Sequence, residues 1–293
     1  MKRWGVAATL VFLISATALA FPLTVLYTND LHVRTRRLES IEALVAQERA
    51  VGNPVLLFDA GDTWQDSRGP LPMVWGAARM VMWMNRVGYS AMVLGNHDLY
   101  LNPTTLAVSI ASAEFPILCA NYVAVEDPGW APATLIEING ARILAVGLVT
   151  HDLLPYGARP RLRFDDPAIK LRALQTKHQG EYDFLFVLAH ISVRRAMQIA
   201  EAVPEIDLFI SGHSHEQTEE PVIVGETMIV QSGEFAKHVG RLRLDANPEA
   251  GKLSFVDNTL LATETTPADI RSGVAQIILT AISILGFATL LLL

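Results

Sequence analysis

The chain has 293 residues, of which 51% are hydrophobic and only 18% are charged. Its mean hydropathy of +0.31 excludes a disordered chain and exceeds that of an ordinary soluble domain. The formal net charge of −7 argues against a nucleic-acid polymer as partner. The single cysteine, Cys119, excludes an intrachain disulfide framework.

The excess of apolar residues lies at the two ends. Residues 1–20 begin with basic Lys2 and Arg3 and end in small residues, which predicts a cleaved signal peptide; an uncleaved anchor is the alternative. Residues 274–293 carry no charge and have membrane-spanning length, which predicts a transmembrane anchor in the lipid bilayer. A core helix, a sorting signal or a truncated chain are the alternatives. We therefore expect an exported protein at the outer face of the cytoplasmic membrane.

Between these ends we expect one α/β domain over residues 21–262 and a polar linker over residues 263–273. Short β-rich runs alternate with helix-length stretches, and the C-terminal portion is predicted to be largely antiparallel. Turns at Asn139-Gly140 and Gly225-Glu226 suggest hairpins. In chain order, the predicted strands cover 23–28, 54–60, 90–95, 115–120, 182–189 and 206–211, with short strands within 133–149 and 221–261; the predicted helices cover 38–50, 75–86, 103–113 and 193–202.

Metal-ligand residue types follow nearly every predicted strand. Five of the eight histidines in the chain occupy such positions. A lone histidine at a strand end is usually structural, but open α/β sheets build their sites at the carboxyl ends of strands, and the repetition predicts a metal site there. The residues are Asp30, His32, Asp62, Asn96, His97, Asp98, His190, His213 and His215.

The donor set contains imidazole and oxygen donors and no thiolate. Such a set suits Mn, Fe, Zn, Ni or Co rather than a soft thiolate centre. Even without His97 and Asp98, the remaining seven donors are too many for one ion. With one bridging carboxylate they supply two divalent ions with four protein ligands each and leave positions for water and substrate, as in a two-metal hydrolase.

Five motifs occur in a fixed order: TNDLH, GDTW, GNHD, an isolated LAH and GHSH. As a set they resemble the calcineurin-like metallophosphoesterases. The surrounding segments YTNDLHVR, FDAGDTWQDS and QSGEFAKHVGRLRLD are similar to the catalytic domain of the 5′-nucleotidase branch. The resemblance covers residues 23–261.

This resemblance implies two mixed β-sheets in a sandwich flanked by helices, with the site at one edge. It implies a monomer that hydrolyses small phosphate esters by attack of a metal-bridging hydroxide. His97 would donate a proton to the leaving group. The implied metal ligands are Asp30, His32, Asp62 and His215 for one ion, and Asp62, Asn96, His190 and His213 for the other.

The chain departs from the pattern of the branch at three points. The branch commonly reads NHEFD, whose last residue orients the catalytic histidine, whereas this chain reads NHDLY and has Tyr100 there. Asp66 or Asp98 is the candidate substitute. Val33 replaces a common glycine. The nucleotidases of this branch carry a further C-terminal domain that stacks the base. Here only a short polar segment separates Leu261 from the apolar tail, so we expect a pocket indifferent to a nucleotide base.

Several functional alternatives stay open at this stage. The first is a 5′-nucleotidase or 2′,3′-cyclic phosphodiesterase that recognises the base through its loops. Another is a non-catalytic, metal-stabilised binding module, for which Tyr100 would be the first sign of decay. A third is a thiosulfohydrolase, since GDTWQ is similar to that group. Arg34, Arg36 and Arg37 are candidates for guiding an anionic substrate, although Arg36 and Arg37 also fit a solvated helix start.

Overall fold

The structure is a computed structural model that describes residues 19–65, 71–123, 129–151 and 163–265. The apolar run of the expected signal peptide and the expected anchor at 274–293 lie outside these residues. Within the described ranges, no helix is both long and apolar enough to cross a membrane.

Fourteen strands and five α-helices occur in the described residues. The strands are β1 Phe21–Thr28, β2 Val55–Asp59, β3 Ala91–Val93, β4 Ile117–Leu118, β5 Tyr122–Val123, β6 Ala133–Ile138, β7 Ala141–Val149, β8 Arg163–Phe164, β9 Phe184–His190, β10 Leu208–Ser211, β11 Val222–Val224, β12 Thr227–Val230, β13 His238–Asn247 and β14 Lys252–Ala262. The helices are α1 Leu38–Ala50, α2 Leu71–Val87, α3 Pro103–Ala111, α4 Pro167–Lys177 and α5 Val193–Ala202.

Two six-stranded mixed sheets form the body of the domain. The first has the strand order β14-β13-β1-β2-β3-β4, and the second has the order β11-β12-β10-β9-β7-β6. In the first sheet β1 to β4 are parallel and β13 and β14 antiparallel. In the second, β7, β9, β10 and β12 are parallel, while β6 and β11 pair antiparallel at its two edges. The predicted fold class, two mixed sheets with flanking helices, is confirmed.

The sequence of β9, FLFVLAH, shows how the layers form. Every residue of this strand is buried, as expected for a parallel strand covered on both faces. Phe184, Phe186 and Leu188 point into the core between the sheets, where the rings of Phe58 and Phe186 lie 6.2 Å apart. Leu185, Val187 and Ala189 belong to a second core beneath α4 and α5. The two faces of β9 therefore pack the second sheet against the first sheet on one side and against α4 and α5 on the other.

The helices were predicted with one omission. The bounds of α1 and α5 agree with the predicted 38–50 and 193–202. The segment of α2 begins earlier than the predicted 75–86, and Gly76, inside the predicted range, has a non-helical φ of 71°. No helix was expected at α4, although Asp166 caps it and Pro167 opens it.

Candidate metal centre

The loops after five parallel strands meet at one point between the sheets. Those after β1, β2 and β3 come from the first sheet, and those at the ends of β9 and β10 come from the second. Direct hydrogen bonds join the two sheets here: His190 Nδ1–H donates to the Ala60 carbonyl at 2.8 Å, and the His213 N–H donates to Asp30 Oδ2 at 3.0 Å. The structure thus brings the predicted ligands of distant segments together.

One group of side chains surrounds Asp30 Oδ1. The distance from this oxygen to His215 Nε2 is 3.1 Å, and to His32 Nε2 it is 3.7 Å. His32 Nε2 also lies 3.9 Å from Asp62 Oδ2. These four residues are the set implied for the first ion.

The second group surrounds Asn96 Oδ1. His190 Nε2 and His213 Nδ1 each lie 3.1 Å from this amide oxygen. His190 Nε2 is also 3.1 Å from Asp62 Oδ2, so this carboxylate lies next to both groups. The bridging role implied for Asp62 stays a prediction.

Each of the two carboxylates uses one oxygen to anchor itself. Asp62 Oδ1 accepts the His97 backbone N–H at 2.8 Å, while Asp62 Oδ2 faces the imidazoles. Asp30 Oδ2 accepts Asn29 Nδ2–H at 2.7 Å, in addition to the N–H of His213, while Asp30 Oδ1 faces the imidazoles. The inward oxygens are therefore fixed in position and remain directed at the cluster.

The backbone at this point is strained. Five of the seven predicted ligands have positive φ angles between 47° and 73°. This region of backbone conformation is energetically unfavourable for residues other than glycine. Gly95 is required for close approach, because a Cβ there would lie 2.0 Å from Asp62 Oδ1. Strain concentrated on candidate ligands is expected where the site geometry has a function. The five are Asp30, His32, Asp62, His213 and His215.

Three histidines are oriented by a partner on Nδ1, which leaves Nε2 facing the cluster. His190 uses the Ala60 carbonyl, as given above. His32 Nδ1 lies 3.1 Å from the Gln65 carbonyl, and His215 Nδ1 lies 2.8 Å from Glu234 Oε2. A donor on one ring nitrogen fixes the tautomer in which the other nitrogen can bind a metal.

Charge compensation decides the ionisation of the cluster. Burial by itself would raise the pKa of Asp30, but the charge of His190 and the hydrogen bond from His215 hold the pKa well below its usual range. Burial opposes the charged form of His190, yet Asp62 and Asp30 raise its pKa to about 10. The two carboxylates thus favour positive charge beside them. A divalent cation ligated by neutral imidazoles would supply that charge instead.

These residues fit a divalent metal. His32 is 1% exposed, and its Nε2 has no hydrogen-bond partner among the described atoms, since both carboxylates are beyond hydrogen-bond distance. A buried nitrogen aimed at two carboxylates is costly unless a ligand completes it. Three sets of titratable side chains have donor atoms close enough to share an ion: Asp30, His32 and His215; Asp30, Asp62 and His190; His32, Asp62 and His97.

The candidates for catalysis lie beside this cluster. His97 has a side chain 17% exposed, and its Nε2 is 4.0 Å from Asp62 Oδ2. The ring of Tyr100 packs edge-on against His97 with centroids 5.4 Å apart. Asp66 lies outside the described residues.

Asp98 has a structural task that the sequence did not reveal. Its carboxylate is fully buried and accepts the backbone N–H groups of Asp62, Trp64 and Gly95 at 2.8–2.9 Å. Burial, together with the charge of Asp62, raises the pKa of Asp98 to about 7. Asp98 therefore ties the loop after β2 to the loop after β3. Its expected role as the partner of His97 stays a prediction.

Two further residues support the centre without having been singled out. Asp59 is fully buried and accepts the Gly61 N–H at 2.9 Å and the Thr63 hydroxyl at 2.8 Å, which shapes the loop that carries Asp62. Glu234 binds His215, and its other carboxylate oxygen accepts Lys237 Nζ–H at 2.9 Å. The segment QSGEFAKHVG was noticed only as a likeness, because nothing in it shows that its glutamate contacts a residue of the GHSH motif.

An α/β sandwich whose sheet ends bring carboxylates, an amide and imidazoles to one point is an arrangement typical of metal-dependent enzymes. The chain belongs to the calcineurin-like phosphoesterase family, whose model matches residues 23–217. Its resemblance to the 5′-nucleotidase branch is confirmed.

Two relatives match this chain over part of their own length. It is 30% identical over 239 residues to a 5′-nucleotidase of Diplobatis ommata, covering 68% of this chain and 38% of that protein. It is 25% identical over 264 residues to the trifunctional nucleotide phosphoesterase protein YfkN of Bacillus subtilis, covering 75% of this chain and 18% of that protein. The chain thus spans less than half of either relative.

A solved structure supports the fold independently. The crystal structure of a 5′-nucleotidase precursor from Thermus thermophilus superposes with a TM-score of 0.73 at 23% identity. The match covers 91% of this chain and 59% of that one. The two chains therefore share the same sandwich.

The contact between Glu234 and His215 is testable by metal binding. Glu234→Ala should lower the affinity of the metal-stripped protein for Mn²⁺ by roughly 10- to 100-fold, because His215 loses the partner that fixes its ring. Glu234→Gln should lose less, since an amide oxygen still accepts the hydrogen bond. Isothermal titration calorimetry measures both values.

The matched control is Glu216→Gln, which removes the same charge from an exposed neighbour of His215. Its Mn²⁺ affinity should equal that of the wild type. Wild-type affinity in Glu234→Ala would show that the contact does not orient a ligand.

Proposed function

We propose that the chain is a two-metal phosphoesterase that hydrolyses small phosphate esters. The observation that carries the proposal is the position of Asp62, whose inward oxygen lies 3.1 Å from His190 and 3.9 Å from His32, members of the two ligand groups. The proposed ligands are Asp30, His32, Asp62 and His215 for one ion and Asp62, Asn96, His190 and His213 for the other. When bound, two divalent cations supply an activated water molecule and neutralise charge on the phosphoryl oxygens.

The proposed task of His97 is to protonate the leaving oxygen. Its backbone N–H is bound to Asp62 Oδ1, so the residue is fixed relative to the bridging carboxylate. Its side chain is 17% exposed, so a substrate can reach it, as a proton donor requires.

A second candidate function is a 5′-nucleotidase that recognises the base through its own loops. The 30% identity to a protein of that name favours it. The two functions differ in one measurable quantity, the ratio of kcat/KM between nucleoside monophosphates and small non-nucleotide esters. A preference of about 100-fold or more for one nucleotide supports the nucleotidase.

The first test uses the full chain loaded with Mn²⁺ and a panel of phosphomonoesters, diesters, nucleotides and sulfate esters. Wild-type protein should hydrolyse phosphomonoesters, and Asp62→Asn should abolish this activity and lower the metal content, because it removes the one anion shared by both ions. Metal analysis and initial rates measure the two effects. An Asp62→Asn protein with two metals per chain and near-native turnover would contradict the assignment.

His97→Ala should keep both metals and reduce turnover by roughly 10²- to 10⁴-fold for esters with poor leaving groups. Activated aryl esters should lose less, since their leaving oxygen needs no proton. The comparison of the two ester types is an internal control for folding. Because His97 is also close enough to Asp62 and His32 to share an ion, loss of a metal would identify it as a ligand and overturn its proposed role.

Export and membrane tethering complete the proposal. Their support is the sequence of residues 1–20 and 274–293, and the division into a catalytic domain at 21–262 and a linker at 263–273 follows from it. We expect the full chain in the membrane fraction, facing outward, and a variant ending at residue 265 in the released soluble fraction. Fractionation with external protease treatment measures both, and full-length protein retained in the cytoplasm would contradict export.

A further inference from the structure

Asn29 is a buried residue that follows β1 and directly precedes the predicted ligand Asp30. Its side chain is 1% exposed. The amide oxygen of Asn29 accepts the Ser232 backbone N–H at 2.8 Å and the Ser232 hydroxyl at 2.7 Å. Its amide nitrogen donates to Asp30 Oδ2 and to the Gly233 carbonyl, each at 2.7 Å. An asparagine amide can accept two hydrogen bonds and donate two, so the full capacity of this side chain is used.

Two of the partners of Asn29 belong to the loop after β12, which also contacts the metal centre. This loop contains Glu234, whose Oε2 lies 2.8 Å from His215 Nδ1. It also contains Phe235, whose N–H donates to the Asp30 carbonyl at 2.8 Å and whose ring lies 5.7 Å from the His215 ring, centroid to centroid. The loop is thus bonded to Asp30 on one side and contacts His215 on the other. We name the four hydrogen bonds of the Asn29 side chain the Asn29 clasp.

The Asn29 clasp supports two predicted ligands of the same ion. It holds the outer oxygen of Asp30, and it holds the loop whose glutamate lies against His215. The inward atoms of these two ligands, Asp30 Oδ1 and His215 Nε2, lie 3.1 Å apart. Without the clasp, the Asp30 carboxylate and the loop of Glu234 would have to be ordered when the ion binds, which costs binding free energy.

We propose that Asn29 is a positioning residue that raises the affinity of the chain for the first ion and hardly affects the second. The inference rests on the proposed two-ion site. The first ion is the one for which the proposed ligands are Asp30, His32, Asp62 and His215. An asparagine with a merely structural task would stabilise the fold without discriminating between the two ions.

Calorimetric titration of the metal-stripped full chain with Mn²⁺ tests the inference. Asn29→Ala should raise the Kd of one ion by roughly 10- to 100-fold and change the other Kd by about threefold or less. Two reference variants identify the ion, because Glu234→Ala should raise the same Kd and Asn96→Ala the other one. The double variant of Asn29 and Glu234 should lose less than the product of the two single losses, since both residues act on His215 through one loop.

Excess Mn²⁺ separates positioning from catalysis. Asn29→Ala should hydrolyse p-nitrophenyl phosphate slowly at an Mn²⁺ concentration near the wild-type Kd. It should recover most of its turnover when Mn²⁺ is well above its own Kd, because mass action refills the weakened site.

The matched control is Asn258→Ala. The Asn258 side chain accepts the Tyr27 hydroxyl at 2.9 Å and donates to the Thr218 and Glu219 carbonyls at 2.9 Å and 3.0 Å, so it bonds to no predicted ligand. This variant should lower the thermal unfolding midpoint of the metal-stripped protein and leave both Kd values unchanged.

A milder variant keeps the test decisive if Asn29→Ala does not fold. Ser232→Ala removes only the hydroxyl bond to Asn29 Oδ1 and keeps the bond from the backbone N–H. It should raise the Kd of the first ion by about 2- to 10-fold.

Equal losses at both ions, or wild-type affinity for both ions in Asn29→Ala and Ser232→Ala, would overturn the inference. Failure of the proposed function looks different. In that case the wild type binds two Mn²⁺ ions but hydrolyses no ester, and the titration still decides the task of Asn29. A wild type that binds fewer than two Mn²⁺ ions would contradict both.

Discussion

The structure depends on the compensation of two buried carboxylates, Asp30 and Asp62. Both are almost completely removed from water, which is costly for an ionised group unless hydrogen bonds and opposite charges replace the solvent. One oxygen of each is satisfied by the protein, and the other faces imidazoles. Removing any compensating group would leave an uncompensated negative charge in the low-dielectric interior of the protein. The surrounding loops are therefore held in one arrangement, even at the cost of left-handed backbone at five of the predicted ligands.

This constraint explains why the domain has two sheets that meet at their carboxyl ends. A single loop cannot surround two carboxylates with four imidazoles, so the ligands must come from several strand ends. The loops approach closely enough that a Cβ at Gly212 would lie 2.6 Å from the Ala60 carbonyl. Asp98 and Asp59 then fix the loop of Asp62 through backbone N–H groups and the Thr63 hydroxyl. Asp98 and Asp59, which are not among the predicted ligands, thus determine how the loop that carries Asp62 is placed.

The sequence could predict features that depend on local patterns, and it could not predict those that depend on contacts between distant residues. The helix Leu38–Ala50 and the buried strand Phe184–His190 follow from periodicity and apolar runs, and the predicted ligands converge because parallel strands end at the same edge. The helix Pro167–Lys177 was missed although its Asp-Pro start is a local signal. The tasks of Asp98 and Glu234 had no local signal. Each is defined by a partner 19 to 36 residues away, and only the fold shows which partner it is.

The same distinction separates catalysis from substrate choice. Motifs predict ligands because a metal demands particular donors, and few side chains provide them. Residues that surround the centre have no such restriction. Phe235 fits an ordinary core phenylalanine in the sequence, yet its ring lies 5.5 Å from the His32 ring and 5.7 Å from the His215 ring, centroid to centroid. It is held there because the Phe235 N–H donates to the Asp30 carbonyl at 2.8 Å. Chemistry shared across a fold can therefore be read from motifs, whereas the choice among phosphate esters depends on which remote segments the fold brings to the edge of the centre.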